Sequence, residues 1–167
     1  MKTKKQQYDL MFMKIAVLAS KQSHCRSFKV AAVAVKKGHI LYTGINGTPP
    51  GFINCDDNIL LCPDHFATHE EWREAHHNFS LKYEIHSEQS LLGGASKEGI
   101  SLDGAIVYQT LSPCQDCLKL MIISGIKEIV YLYDYDKTDP ESLTFAKECD
   151  VKIRKLVVED YSVFENL

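Results

Sequence analysis

No stretch of the 167-residue chain is apolar for anything near the roughly 20 residues that a membrane-spanning helix requires. The opening MKTKKQQYDL holds neither the apolar stretch nor the small-residue cleavage site of a secretory leader, so the expected location is the cytoplasm, a host cytoplasm if the chain is viral. Glycine (9) and proline (5) are too sparse for a low-complexity chain, and no repeat or linker divides it. One domain over residues 1–167 is expected. An excess of positive charge is missing too: 19 Lys and Arg stand against 22 Asp and Glu, a net charge of −3. Proteins that grip long nucleic acid usually carry a basic stripe. Here the dense basic runs are only Lys2, Lys4, Lys5 and the pair Lys36, Lys37. The expected partner is therefore a small molecule, with no membrane and no nucleic acid.

What the chain does have is donors for a soft metal. There are six cysteines, Cys25, Cys55, Cys62, Cys114, Cys117 and Cys149. In a reducing compartment these are ligands or buried thiols rather than disulfides. Seven histidines accompany them, and His65, His69, His76 and His77 fall in one short segment.

Hydrophobic spacing lays out the elements. Over residues 8–19 apolar side chains recur at Tyr8, Met11, Phe12, Ile15, Leu18 and Ala19, a helical pattern. Residues 30–35 (VAAVAV) form a continuous apolar run and predict a buried strand. Lys36-Lys37-Gly38 is a turn, and residues 39–43 return as the second strand of a hairpin. Residues 44–64, rich in Gly, Pro, Asn and Asp, form a long loop of the kind that carries function or needs an anchor. The polar residues 66–81 read as a helix of poor periodicity. A helix over 86–95 ends near Gly93, Gly94 and Gly99, and residues 105–111 (AIVYQTL) are a strand. Ser112 as N-cap and Pro113 at the first helical position open the next helix. That helix shows Leu118, Met121 and Ile122 on one face and stops at Gly125. A strand over 129–133, a helix over 142–148 and a strand over 151–158 complete the chain. The pattern predicts an α/β fold of three layers, α/β/α: a mixed sheet of about five strands with helices on both faces.

Two short segments carry chemistry, and each opens a predicted helix. Cys114 and Cys117 are three apart, so both thiols share one face of the first turn, where the helix dipole favours thiolates. Alone, this pair fits zinc, a redox couple or two buried thiols. Adding His86 gives three zinc ligands, which leaves a fourth position for water, the arrangement of a catalytic site. A zinc-held water titrates near pH 7 and is a nucleophile at neutral pH. Glu88, two residues from His86, points elsewhere on its helix and can carry protons beside that water.

The residues His86, Glu88, Pro113, Cys114 and Cys117 match H-x-E … P-C-x-x-C, the signature of the zinc nucleobase deaminases. The likeness runs further, through Ser23-His24-Cys25, Val30-Ala31-Ala32-Val33, Thr43-Gly44-Ile45-Asn46-Gly47-Thr48-Pro49 and Asn54-Cys55. It continues from Ile85 through Leu111-Ser112-Pro113-Cys114 and Ser124-Gly125-Ile126-Lys127 to Tyr131 and Tyr135. In these segments the chain resembles the dCMP (deoxycytidylate) deaminases of the cytidine deaminase family, most of all their bacteriophage-type branch. The resemblance implies a cytidine-deaminase-like fold and hydrolytic deamination of dCMP to dUMP and ammonia, supplying thymidylate synthesis. It implies a homohexamer activated by dCTP with Mg²⁺ and inhibited by dTTP. Carried over by position, it implies that His86, Cys114 and Cys117 hold the catalytic zinc and Glu88 shuttles protons. Asn46, with Gly44 and Gly47 of the same loop, would contact nucleotide as substrate or effector; the alternative for Asn46 is a plain turn residue. The backbone of Ser87 and Ser112 would meet the cytosine edge. Tyr135 would line the pocket, or else simply pack a strand end.

The same branch implies a second, structural zinc on Cys25, Cys55, His76 and Glu84. A rival set, Cys55, Cys62, His65 and His69, lies closer together in sequence, and a single zinc with solvated histidines is a third arrangement. The chain departs from the family pattern at Ser87 (usually Ala), Ser90 (commonly Asn), Ala31 (usually Gly), Ile45 (usually Tyr) and Lys97 (Arg in a phage relative). These leave the chemistry intact and bear on allosteric control and subunit contacts. Two other classes share the core residues: a polynucleotide editor, disfavoured by the acidic balance, and a non-catalytic zinc-stapled nucleotide sensor, disfavoured by Glu88.

Overall fold

The computed structural model describes residues 3–136, 138–165 and 167; Lys2 of the N-terminal basic run lies outside them. Five strands form one mixed sheet in the order β2-β1-β3-β4-β5: β1 (Ala31–Lys36), β2 (His39–Ile45), β3 (Ile106–Leu111), β4 (Glu128–Tyr133) and β5 (Lys152–Lys155). β1 pairs antiparallel with both β2 and β3, while β3–β4 and β4–β5 are parallel. The unbroken apolar run of β1 is explained by this place, since its two faces are both covered.

Helices cover the two faces as expected. On one face α1 (Lys4–Ser20) sets Phe12, Met13 and Ala16 against Val33, Val35, Tyr108, Val130 and Leu132. On the other, α3 (Ser87–Lys97), α4 (Gln115–Ile123) and α5 (Ser142–Glu148) bring Leu91, Ala95, Leu118, Met121 and Ala146 onto Ala32, Ala34, Val107 and Ile129. α2 (His69–Tyr83) packs instead on the long loop. Its Trp72, His76 and Phe79 are buried at helical spacing, Phe79 beside Cys55 and Leu61, and the Trp72 indole donates to the Leu61 carbonyl at 3.0 Å. β2 takes up Gly44 and Ile45, so the loop expected over 44–64 spans 46–68; it thus has its anchor, and includes two short 3₁₀ turns, Ile59–Leu61 and Pro63–His65. No helix among the described residues is long and apolar enough to cross a membrane.

Four details correct the sequence-based expectations. α1 is rotated: Asp9, Phe12, Met13, Ala16 and Ser20 face inward, while Tyr8, Met11 and Leu18 are exposed. Asp9 is drawn in because the Tyr108 hydroxyl and the Arg154 guanidinium each donate to its carboxylate at 2.8 Å. α3 runs on through Gly93 and Gly94 and stops before Gly99, whose φ of +67° suits glycine. α4 begins later than expected, with Cys114 rather than Ser112 at its N-cap. The Ser112 hydroxyl accepts the Tyr135 N–H at 2.7 Å instead of capping the helix. Lastly, β5 ends at Lys155 rather than near 158; Leu156 and Phe164, the latter in a 3₁₀ turn, fold back into the core under α1.

Candidate active site

The carboxyl ends of parallel strands β3 and β4 meet the N-termini of α3 and α4, a common place for sites in α/β sheets. His86 is the N-cap of α3, Cys114 the N-cap of α4 and Cys117 its third residue. A backbone link sets the entry of α3: Gly47 and Ile85 exchange two hydrogen bonds, at 3.2 and 2.9 Å, and the Gln89 side chain accepts the His86 N–H at 2.8 Å. These contacts bring His86 Nδ1 to 3.4 Å from Cys117 Sγ and 3.6 Å from Cys114 Sγ. A tetrahedral zinc with ordinary bond lengths would separate a nitrogen and a sulfur ligand by about 3.6 Å. The donor set therefore fits zinc in both chemistry and spacing.

Electrostatics agree. The hydrogen bond that Cys117 donates, with further help from His86, holds the Cys114 thiol down to about 4 against the opposing effect of burial. Cys117 is pushed up by that same bond and by burial. A cation among the two thiols would favour both thiolates. Glu88 is buried in the first turn of α3, and its burial raises its pKa. Its Oε2 accepts from the Ser87 hydroxyl at 3.0 Å, and its Oε1 faces the Gln109 amide at 3.5 Å.

A second donor cluster lies beside the first. Cys25, Cys55, His76 and Glu84 offer ligand atoms within 4.8 Å of one another. Cys25 Sγ is 3.4 Å from His76 Nε2 and 3.5 Å from Glu84 Oε2, again near the separation that zinc ligands share. Glu84 Oε1 is buried without a hydrogen-bond partner, which a bound cation would relieve. The rival set is not assembled: of Cys62, His65 and His69 none joins Cys55, and the two histidines are exposed. Glu84 and His86 place the two clusters two residues apart.

Both clusters open on one cleft. Asn46, Ser87, Ser112 and Tyr135 line it, and Phe28 meets Tyr135 edge-on with ring centroids 6.2 Å apart.

Residues 6–133 match the family described as the cytidine and deoxycytidylate deaminase zinc-binding region. The chain belongs to this deaminase family. It is 40% identical over 152 residues to the deoxycytidylate deaminase of Enterobacteria phage T4, covering 77% of this chain and 79% of that protein. The T2 phage enzyme is 39% identical over the same length, covering 81% of that protein. Among solved structures, dCMP deaminase from the cyanophage S-TIM5, in complex with dCMP and dUMP, superposes with a TM-score of 0.71 at 31% identity, covering 93% of this chain and 98% of that one.

The residues expected to contact nucleotide separate into two groups. Asn46 lines the cleft, but its amide also braces the cleft wall: it accepts the Val30 N–H and donates to the Phe28 carbonyl, each at 2.8 Å. Gly44 and Gly47 do not line the cleft. A Cβ at Gly44 would lie 2.1 Å from the Ser87 carbonyl oxygen, so its lack of a side chain lets α3 seat on β2. Gly47 acts through its backbone link to Ile85. Sequence reasoning missed Phe28, Thr138 and Gln109. Thr138 holds the Ser112 hydroxyl at 2.8 Å. Gln109 alone left a signal, as a polar residue within the buried strand pattern AIVYQTL.

Proposed function

We propose that the protein is a zinc-dependent dCMP deaminase that converts dCMP and water to dUMP and ammonia. The observation that carries this is the His86, Cys114 and Cys117 triangle with buried Glu88 in the same first turn of α3, facing a single cleft. When bound there, zinc supplies Lewis acidity that makes a water nucleophilic at neutral pH. The chain's own residues do the rest. Glu88 takes a proton from the attacking water and delivers it to N3 of the cytosine. It then carries the second proton to the C4 amine, so that the C–N bond breaks and ammonia leaves. Its burial beside the ligand triangle places this carboxyl where it can exchange protons with the water and the base. Phe28 and Tyr135 give the base an aromatic wall, and the brace from Asn46 holds Phe28 and Val30 in place.

A nucleotide is favoured over a nucleoside by the neighbouring depression. It shares Ser27, Phe28, His76, Ser80 and Tyr135 with the cleft and adds Arg73 and His77, donors for a 5′-phosphate. The Cys25, Cys55, His76 and Glu84 cluster is proposed as a closed zinc site with a structural role. Assembly as a homohexamer, with dCTP–Mg²⁺ activating and dTTP inhibiting, belongs to the same proposal.

The experiment is ammonia release from dCMP, deoxycytidine, dCTP and a short cytosine oligonucleotide, each with and without dCTP–Mg²⁺ as activator. Turnover of dCMP alone is expected. Turnover of only the oligonucleotide, or none with zinc fully bound, overturns it. Arg73→Ala is expected to raise KM for dCMP about tenfold or more, the loss of one charged phosphate contact.

A further inference from the structure

Gln109 is fully buried on β3, on the face that α3 and α4 cover. Across the strands it pairs with Ala32 of β1 and Tyr131 of β4, and the core on that face, with Ala34, Val107, Leu91 and Leu118, is apolar. Its Nε2 donates to the Leu111 carbonyl at 2.7 Å and reaches Glu88 Oε1 at 3.5 Å. Its own Oε1 has no partner among the described residues. Stability does not account for such a residue. A buried acceptor without a partner is destabilising, and a central strand position is filled better by a β-branched or other apolar side chain. The amide does have a task at Glu88. The carboxylate is held on one oxygen by Ser87 Oγ at 3.0 Å, the Gln109 amide faces the other, and the residue's own backbone N–H is a further donor. Side-chain donors on opposite oxygens fix the carboxylate plane. The 3.5 Å separation is long, and contacts of this kind in catalytic sites tighten when substrate seats.

We infer that Gln109 is a positioning residue, whose buried amide clamps the Glu88 carboxylate in the orientation from which it exchanges protons with substrate. The inference rests on the deaminase role of Glu88.

The test uses the full chain with zinc bound and two variants. Gln109→Met keeps the volume and removes the amide; Gln109→Asn keeps the amide and draws it back by one methylene. Both are expected to lower kcat on dCMP about 10- to 100-fold, the effect of a misplaced reacting group, with KM within about twofold. Zinc content should be unchanged. The melting temperature of Gln109→Met should stay within about 2 °C of wild type, because an orphaned acceptor is lost together with one hydrogen bond. A crystal structure of Gln109→Met should show Glu88 rotated or split between rotamers. Unchanged kcat with an unmoved Glu88 overturns the inference. So does a joint fall of kcat, zinc content and melting temperature, which marks a merely structural residue. If wild-type protein fails to turn over dCMP, the deaminase assignment falls separately, and the Glu88 rotamer in Gln109→Met still decides whether Gln109 clamps it.

Discussion

Gly44→Ala is the smallest change that should reach the active site from outside it. Gly44 is buried on β2, and an added Cβ would lie 2.1 Å from the Ser87 carbonyl oxygen, 2.3 Å from Leu91 N and 2.7 Å from Leu91 Cα. All three are backbone atoms of α3, so no side-chain rotation relieves the clash. Opening the 2.1 Å approach to the 3.4 Å of ordinary contact asks α3 to move by about 1.3 Å. Overpacking of this kind costs about 3 kcal/mol, a fall of about 6–12 °C in melting temperature for a chain of this size. The same helix carries His86 and Glu88, and a misplacement near 1 Å costs about 100-fold in rate. Gly93→Ala is the matched control on the same helix. Gly93 is exposed and nothing lies within 4 Å of its added Cβ. That change should stabilise by about 0.5–1 kcal/mol, the ordinary gain of Ala over Gly inside a helix. Thermal melts and dCMP kinetics on both variants decide it. Wild-type melting temperature and kcat in Gly44→Ala would refute the view that close seating of α3 on β2 sets the site.

Cys114→Ser should bind one equivalent of zinc fewer per chain by atomic absorption and lose turnover; full metal retention would remove Cys114 from the ligand set. Glu84→Ala should lose the other equivalent and lower the melting temperature by about 10 °C or more, since a structural zinc contributes directly to folding; unchanged metal and stability would argue against that site. Arg154→Leu should cost about 3 kcal/mol, because it takes the guanidinium from the buried Asp9, left with the Tyr108 hydroxyl, and from the partly buried Glu128, whose Oε1 accepts from Arg154 Nε at 2.6 Å. Burial pushes the Glu128 carboxyl up, but the Arg154 hydrogen bond and charge outweigh it and hold the pKa below the ordinary value. A depressed carboxyl stabilises the fold above its unfolded pKa and ceases to do so as pH falls through its folded pKa. The gap between wild type and Arg154→Leu should therefore narrow in denaturant melts taken below about pH 4, and a gap that stays constant to pH 3 would contradict the sign.

How much could be read in advance varied with the kind of signal. β1 announced itself because a strand covered on both faces is apolar throughout, and α5 because Gly/Pro-free helical spacing lies between clear strands. The triangle of His86, Cys114 and Cys117 was legible because its ligands sit at two helix starts with fixed spacing. The rotation of α1 was not, since it depends on Asp9 being drawn inward by Tyr108 and Arg154, 99 and 145 residues away. The N-cap of α4 was misplaced for a similar reason: the Ser112 hydroxyl is taken by Tyr135, and local capping chemistry cannot foresee that. Phe28 lies in a loop whose position is set by the Asn46 amide, so no periodicity marks it as a cleft residue. Gly44 was expected to contact nucleotide by its place beside Asn46; that it also seats α3 depends on a helix more than 40 residues away and left no mark in the sequence.

The most direct measurement is the turnover of dCMP by Glu88→Gln, with zinc content and KM measured on the same preparation. Loss of the proton carrier should cut kcat by about 10³-fold or more while zinc stays bound and KM changes little. Near-normal turnover by Glu88→Gln with its zinc in place would contradict the assignment of Glu88, and with it the proposed mechanism of deamination.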